Sequence, residues 1–339
     1  MNTKDLMFVA EISANHLGSL DRARQIIDAA AKANASAVKL QTYTADTMTL
    51  NIPKFSVQDD HPLWGGRRLY DLYLEAYTPW EWHSELFNYA RELNLIPFSS
   101  PFDLSAVDFL ESLDCPIYKV ASLETGDLRL IKRIAETGKP IIASTGATTL
   151  QEIEELLDAV RSTSSSEITL LVCTSSYPAL PKDANLGRIQ YLRETFGVNV
   201  GISDHSLGIG VAIAGIALGA SVVEKHITLS RGDGGADAEF SMEPDEFAEM
   251  VRHGNDAHAA IGNSTWEDIS AEDSSRTLRR TLYIVKDVQK GDVVTHDNTR
   301  AIRPGGGAPP RLLDELLGKK FLQNYSAGEP LLQDKVLSN

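Results

Sequence analysis

The sequence predicts an α/β protein: a (β/α)8 TIM barrel followed by a small β-rich unit. Three observations carry that expectation. Eight apolar strand-like runs are each followed by a helical pattern, within about 250 residues, the count of such a barrel. The runs read as buried on both faces, as parallel strands covered by helices do. After residue 278 the pattern changes to short strands and turns. An open doubly wound sheet would show fewer units and a glycine-rich phosphate turn after the first strand, which AEISANHLGS does not provide.

In chain order, residues 7–13 read as the first strand and 19–34 as its helix, on which Leu20, Ala23, Ile26, Ile27, Ala30 and Ala31 form one apolar stripe. The second strand, 37–43, is separated from its helix at 79–94 by residues 44–78, far longer than an ordinary connection and rich in aromatics. On a barrel this segment sits at the face made by the C-terminal strand ends, so it is a candidate substrate cover. Strands then follow at 96–102, 117–123, 140–146, 168–177, 199–205 and 221–229, with helices at 104–113, 127–137, 150–162, 186–196, 209–218 and 244–261. The serine run 162–166 reads as a surface loop. Residues 262–278 are polar and acidic and read as a linker between a domain at 1–261 and another at 279–339. The second domain, about 60 residues with turns at Lys290-Gly291 and Ala327-Gly328, is near the lower limit for folding alone and is expected to dock on the barrel or on another subunit.

The chain has 47 acidic and 32 basic residues, a net charge of −15. That balance argues against nucleic acid and anionic membranes as partners, and an anionic small substrate would need a local cluster of lysines. Cys115 and Cys173 both fall in apolar runs, which favours buried thiols in a reducing cytoplasm over a disulfide. MNTKDL leads straight into a strand, and no apolar run approaches a membrane span, so export is not expected.

Catalysis on a barrel lives at the C-terminal strand ends. Those ends supply Glu11, then Asn15 and His16; Lys39 and Gln41; Ser99 and Ser100; Lys119 and Ser122; Ser144 and Thr145; Thr174, Ser175, Ser176 and Tyr177; Ser203 and His205; Glu224 and His226. Alternation puts Ser203 and His205 on one strand face, and Glu224 and His226 on one face of the next. If those strands are parallel neighbours, the two imidazoles converge, as a small divalent-metal site requires. A buried histidine satisfied within the core is the plainer reading of either alone. Two lysines and several hydroxyls around one cavity suit a phosphate or carboxylate ligand.

AEISANHLGS, VKLQTYTADTMTL, FSSPFD, YKVAS, PIIASTGA, CTSSYP, GISDHSLG and EKHITLSRGDGGAD occur in order and together resemble the signature blocks of the sialic acid synthase family. The resemblance covers nearly the whole chain. It continues into RPGGG, which resembles that family's antifreeze-like (SAF) domain. KLQTYTADTMTL and LYDLYLEAYTPWEWH look most like the pseudaminic acid synthases of the family, rather than its N-acetylneuraminate or legionaminate enzymes. The resemblance implies condensation of phosphoenolpyruvate with the open-chain aldehyde of an N-acetylated amino sugar, releasing phosphate. It implies metal ligands at His205 and His226, phosphoenolpyruvate contacts at Lys39, Ser100, Lys119, Ser122, Ser175 and Ser203, and sugar contacts at Glu11, Tyr177, Asp237 and Arg303. Ser100 and Ser175 stand where N-acetylneuraminate synthases resemble Thr and Asn. A homodimer is implied too, in which Arg303 of the small domain covers the partner subunit's active site by a domain swap.

The residues support that chemistry independently. Lys39 and Lys119 would hold a trianion against an acidic protein's repulsion, and a divalent metal on the two histidines can polarise an aldehyde and acidify a bound water. Mn²⁺ is the first expectation, with Mg²⁺ or Co²⁺ as alternatives, since two imidazoles leave open positions that suit each. Glu11 is expected to orient hydroxyls or accept a proton, and Glu224 is a weaker candidate for the same work. Leu50, Trp64 and Tyr77 in the long connection would favour a deoxy sugar ending in a methyl group, or serve only as packing. Two other classes remain open: a metal-free aldolase using Lys119 as a Schiff-base nucleophile, and a non-catalytic sugar-binding protein.

Overall fold

The computed structural model describes residues 6–61, 63–262 and 270–335. They belong to two compact units, Met1–Gly262 and Asn263–Asn339, each with its own apolar core. Part of the expected linker, 263–269, lies outside the described residues.

The first unit is a closed barrel of eight parallel strands: β1 Met7–Glu11, β2 Ala37–Thr42, β3 Ile96–Pro101, β4 Tyr118–Val120, β5 Ile141–Ser144, β6 Ile168–Cys173, β7 Asn199–Ser203 and β8 Val222–His226. Neighbours in sequence pair in space, and β8 closes on β1 with Glu11 opposite His226. Every residue of β1, β6 and β8 is buried, which is why these runs lack an exposed polar alternation. The register also sets Glu11 opposite Lys39, level with His226, and Ser203 opposite Glu224, two residues earlier on β8.

Helix α1, Leu20–Lys32, buries Ala23, Ile26, Ile27 and Ala30, the stripe read from the sequence, and is capped by the Ser19 hydroxyl, which accepts from Arg22 N–H. Two further helices follow β2: α2, Ala45–Met48, and α3, Leu69–Ala76. Around the wall come α4 Trp80–Glu92, α5 Leu104–Glu111, α6 Leu128–Ala135, α7 Leu150–Thr163, α8 Arg188–Phe196, α9 Gly210–Ala217 and α10 Pro244–Ile261. Asn34 and Asn94 adopt positive φ of 57° and 61° just past α1 and α4, where the chain turns back toward the next strand.

The strands are shorter than the apolar runs that announce them. β6 stops at Cys173 rather than 177, where Thr174 turns its hydroxyl to donate to Asp183 C=O at 2.8 Å. β4 spans three residues before Ser122–Glu124 forms a 3-10 turn, and β7 ends two residues before His205. The long 44–78 connection is partly helical rather than wholly irregular.

In the second unit β9, Thr281–Ile284, pairs antiparallel with β10, Thr299–Ile302. Leu282, Ile284, Val294, Phe321 and Leu331 fill its core. Gly307 approaches so closely that a Cβ there would lie 2.2 Å from Leu282 C=O. Both cysteines are buried free thiols. Among the described residues no helix is long and apolar enough to cross a membrane.

Candidate active site

A cavity of about 410 Å³ opens at the C-terminal strand ends of the barrel. It lies where the eight βα connections meet, and its two poles differ sharply in chemistry.

At the polar pole the buried ammonium groups of Lys39 and Lys119 stand among hydroxyls. Lys39 Nζ donates to Ser100 Oγ at 3.4 Å, and Lys119 Nζ to Ser144 Oγ at 2.7 Å. Glu224 Oε1 lies 3.7 Å from each lysine and accepts from Ser203 Oγ at 3.4 Å. Glu11 pairs with Lys39 and is fully buried, and it does not line the cavity wall. Burial pushes the Glu11 carboxyl up to about 7, against the pull of Lys39. Burial acts the same way on Glu224, yet Lys119 and then Lys39 outweigh it and hold that carboxyl below its ordinary value. Two lysines thus meet one carboxylate held below its ordinary pKa and a second, Glu11, raised to about 7, which concentrates cationic groups at this pole in a chain of charge −15.

Ser122 and Ser175 complete the pole. Gly146 N–H donates to Ser122 Oγ at 3.1 Å, and a Cβ on Gly146 would lie 2.3 Å from Ser175 Oγ and 2.8 Å from Ser122 Oγ. Only glycine keeps this floor of hydroxyls open.

The two histidines meet beside it. His205, on the turn after β7, and His226, the last residue of β8, have ring centroids 5.3 Å apart. The Nδ1–H of His205 donates to Thr174 C=O at 3.1 Å, so in the neutral ring Nε2 carries the lone pair. Burial, and then His205, hold the His226 pKa well below the ordinary value, so that ring is neutral. Its Nδ1 is buried with no hydrogen-bond partner among the described residues. Phe240 packs edge-on against both rings. Burial lowers the His205 pKa, but the hydrogen bond and charge of Cys173 outweigh it and raise that pKa above its ordinary value. His226, neutral and with one orphaned nitrogen, and His205 are the pair that could hold a divalent cation; no cluster of three or more ligating side chains occurs among the described residues.

The opposite pole is apolar. Met48, Val57, Leu69, Leu72 and Tyr73, from the connection between β2 and α4, line it together with Tyr43 and Phe102, and the Tyr43 ring packs edge-on against both Tyr73 and Phe102. Trp64 roofs one side, its indole N–H donating to Ala236 C=O at 3.0 Å and its ring 5.7 Å from Tyr177. Tyr177 in turn lies 4.4 Å from the His205 ring. Asp237 accepts from Ser13 Oγ at 2.5 Å.

Of the residues expected from the sequence, Lys39, Ser100, Lys119, Ser122, Ser175, Tyr177, Ser203, His205, Glu224, His226 and Asp237 line this one cavity. Arg303 belongs to the second unit, where it is exposed next to β10. Trp64 lines the cavity, whereas Leu50 is 61% exposed and Tyr77 does not line it. Ser144, read from the sequence as a strand-end hydroxyl but given no role, also lines the cavity; sequence reasoning missed Gly146 and Glu124 as site residues. Strand alternation from Ile142 signals Ser144, but Glu124 lies on a 3-10 turn that no period announces. Burial pushes the Glu124 carboxyl up to about 7, with Lys119 opposing.

The sequence profile of the NeuB family matches residues 26–265, and that of the SAF domain residues 279–337. A pseudaminic acid synthase of Campylobacter jejuni is 40% identical over 330 residues, 97% of this chain and 96% of its own. The N,N'-diacetyllegionaminic acid synthase of the same organism is 35% identical over 336 residues, 96% of this chain and 98% of its own. The solved N-acetylneuraminic acid (sialic acid) synthetase of Leptospira borgpetersenii superposes with a TM-score of 0.73 at 30% identity, covering 80% of this chain and 90% of the other.

Proposed function

The chain belongs to the NeuB family, and from that premise we propose that it is a pseudaminic-acid-forming synthase. It condenses phosphoenolpyruvate with the open-chain aldehyde of 2,4-diacetamido-2,4,6-trideoxy-L-altrose, giving pseudaminic acid and phosphate. The observation that carries this reading is the two-poled cavity. One pole offers two buried lysines among five serine hydroxyls for an anion, and the other an apolar wall for a sugar whose terminal carbon is a methyl group.

In the proposed reaction the enol carbon of phosphoenolpyruvate attacks the sugar aldehyde, water adds to the resulting oxocarbenium carbon, and the tetrahedral intermediate expels phosphate. Lys39 and Lys119 neutralise the trianion and the departing phosphate. Ser100, Ser122, Ser144, Ser175 and Ser203 orient it through hydroxyls that line the same cavity, Ser100 bonded to Lys39 and Ser144 to Lys119. Glu11, with its carboxyl near 7, can hold or release a proton at working pH and reaches the cavity through Lys39, while Glu224 favours the charged form of both lysines. Tyr177 and Asp237 take the sugar. His205 and His226 would hold a divalent cation, Mn²⁺ first and Mg²⁺ or Co²⁺ next, which when bound supplies Lewis-acid polarisation of the aldehyde and an acidified water.

One observation favours a second reading. Burial lowers the Lys119 pKa, with Glu224 offsetting it only in part, as a Schiff-base nucleophile would need. Borohydride reduction in the presence of both substrates separates the two. The synthase predicts phosphate release and no mass increase on the protein; a covalent adduct at Lys119 would establish the aldolase.

We also propose a homodimer in which the SAF unit of one protomer covers the partner's barrel mouth and brings Arg303 to the sugar. Leu123, Leu180 and Leu207, in the connections after β4, β6 and β7, are each more than half exposed, an apolar rim that such a cover would bury.

A further inference from the structure

A buried ion pair lies behind the histidines, on the helix-facing side of the barrel wall. Alternation sends Glu224 and His226 inward from β8 and Lys225 outward, and Asp204 follows Ser203 outward at the end of β7. Lys225 is 1% exposed. Its Nζ donates to Asp204 Oδ2 at 2.8 Å, to Ser206 C=O at 2.6 Å and to Gly208 C=O at 3.2 Å. Asp204 Oδ1 accepts from Ser206 N–H at 2.9 Å, and Asp204 N–H donates to Glu224 C=O at 3.0 Å. All three ammonium donors are therefore spent on the turn that carries His205, from a residue adjacent to His226.

Packing alone does not call for charges here, because apolar residues of similar volume commonly replace a buried pair with no loss of stability. The His205 ring is held on its other side by Thr174 C=O. Backbone bonds tie the start of the turn to β8 and to Ala179, and the ion pair adds the side-chain tie between the 204–208 turn and β8.

We propose that Lys225 and Asp204 are positioning residues that set the separation of His205 and His226, and through it the affinity of the site for a divalent cation. The proposal rests on the reading of those histidines as metal ligands. Groups that orient ligands from behind typically change metal affinity by about 10- to 100-fold when removed.

The test is Mn²⁺ binding to the full chain by titration calorimetry, beside thermal unfolding and phosphoenolpyruvate KM. Wild type and His205→Ala establish whether the site exists. Without histidine-dependent Mn²⁺ binding the metal reading itself fails, separately from the tether. Two variants then address the pair: Asp204→Asn, which keeps the side-chain shape but removes its charge and turns one of its two accepting oxygens into a donor, and the double change Lys225→Met with Asp204→Leu, which removes both charges. At least tenfold weaker Mn²⁺ binding in a folded variant, with phosphoenolpyruvate KM unchanged, is the expected result. Wild-type Mn²⁺ affinity in either folded variant would overturn the proposal. Failure of both to fold would overturn it too, since the pair would then serve the fold and not the histidines.

Discussion

Glu124 lines the cavity with a carboxyl held at about 7, whereas in the unfolded chain it titrates near 4.5. The folded state therefore binds the proton more tightly between those values, and ionisation there costs stability. The cost is absent below pH 4.5, grows as pH rises and is complete above 7. Glu124→Gln should raise the thermal midpoint of the ligand-free protein at pH 8 by a few degrees, as about 1–2 kcal/mol would after solvent screening, and leave it unchanged at pH 4. An equal midpoint at pH 8 would contradict the burial argument. His205→Ala should abolish turnover with the circular dichroism spectrum and thermal midpoint close to wild type; near-normal turnover would remove the metal role. At this scale the sequence was most legible where alternation along a strand decides which way a side chain points, as for Lys39, Lys119, Glu224 and His226. It was least legible for depth and for loops. Nothing in AEIS says that Glu11 pairs with Lys39 without reaching the cavity wall, and nothing in the composition of ASLE says that Glu124 does reach it.

The connection between β2 and α4 supplies most of the apolar wall, and its helix α3 is the element that presents Leu69, Leu72 and Tyr73. Leu69→Ser should therefore raise KM for the trideoxy sugar about tenfold, close to 1.4 kcal/mol, with little change in kcat. Leu50→Ser, on a side chain 61% exposed and off the cavity, should leave KM alone. Equal effects of the two changes, read from steady-state kinetics, would show that the wall is not the selector. The sequence marked this segment by its length but not the helices inside it, because neither α2 nor α3 is long enough for a 3.6-residue period to stand out. Strand positions were legible for the opposite reason: fully buried parallel strands leave continuous apolar runs. Those runs continue past the last ladder bond, so β4 and β6 end sooner than their sequences suggest.

Across the whole molecule, a net charge of −15 repels an anionic substrate everywhere except at the pole where Lys39 and Lys119 converge, so binding should depend on that pair rather than on long-range steering. The proposed swapped dimer makes each active site a joint product of two chains. His205→Ala and Arg303→Ala homodimers, each impaired, should recover activity when unfolded together and refolded as mixed dimers, and no recovery would place Arg303 outside the partner's site. The eightfold alternation and the change of pattern after residue 278 were readable because each is a repeated or bulk property; subunit arrangement leaves no such trace. The central claim, a metal-dependent synthase selective for a trideoxy diacetamido sugar, meets its most direct test in phosphate release from phosphoenolpyruvate with Mn²⁺. The comparison sets 2,4-diacetamido-2,4,6-trideoxy-L-altrose against N-acetylmannosamine, each with and without chelator. Chelator-sensitive release with the altrose alone is the predicted result; release with N-acetylmannosamine alone, or with neither sugar, would contradict it.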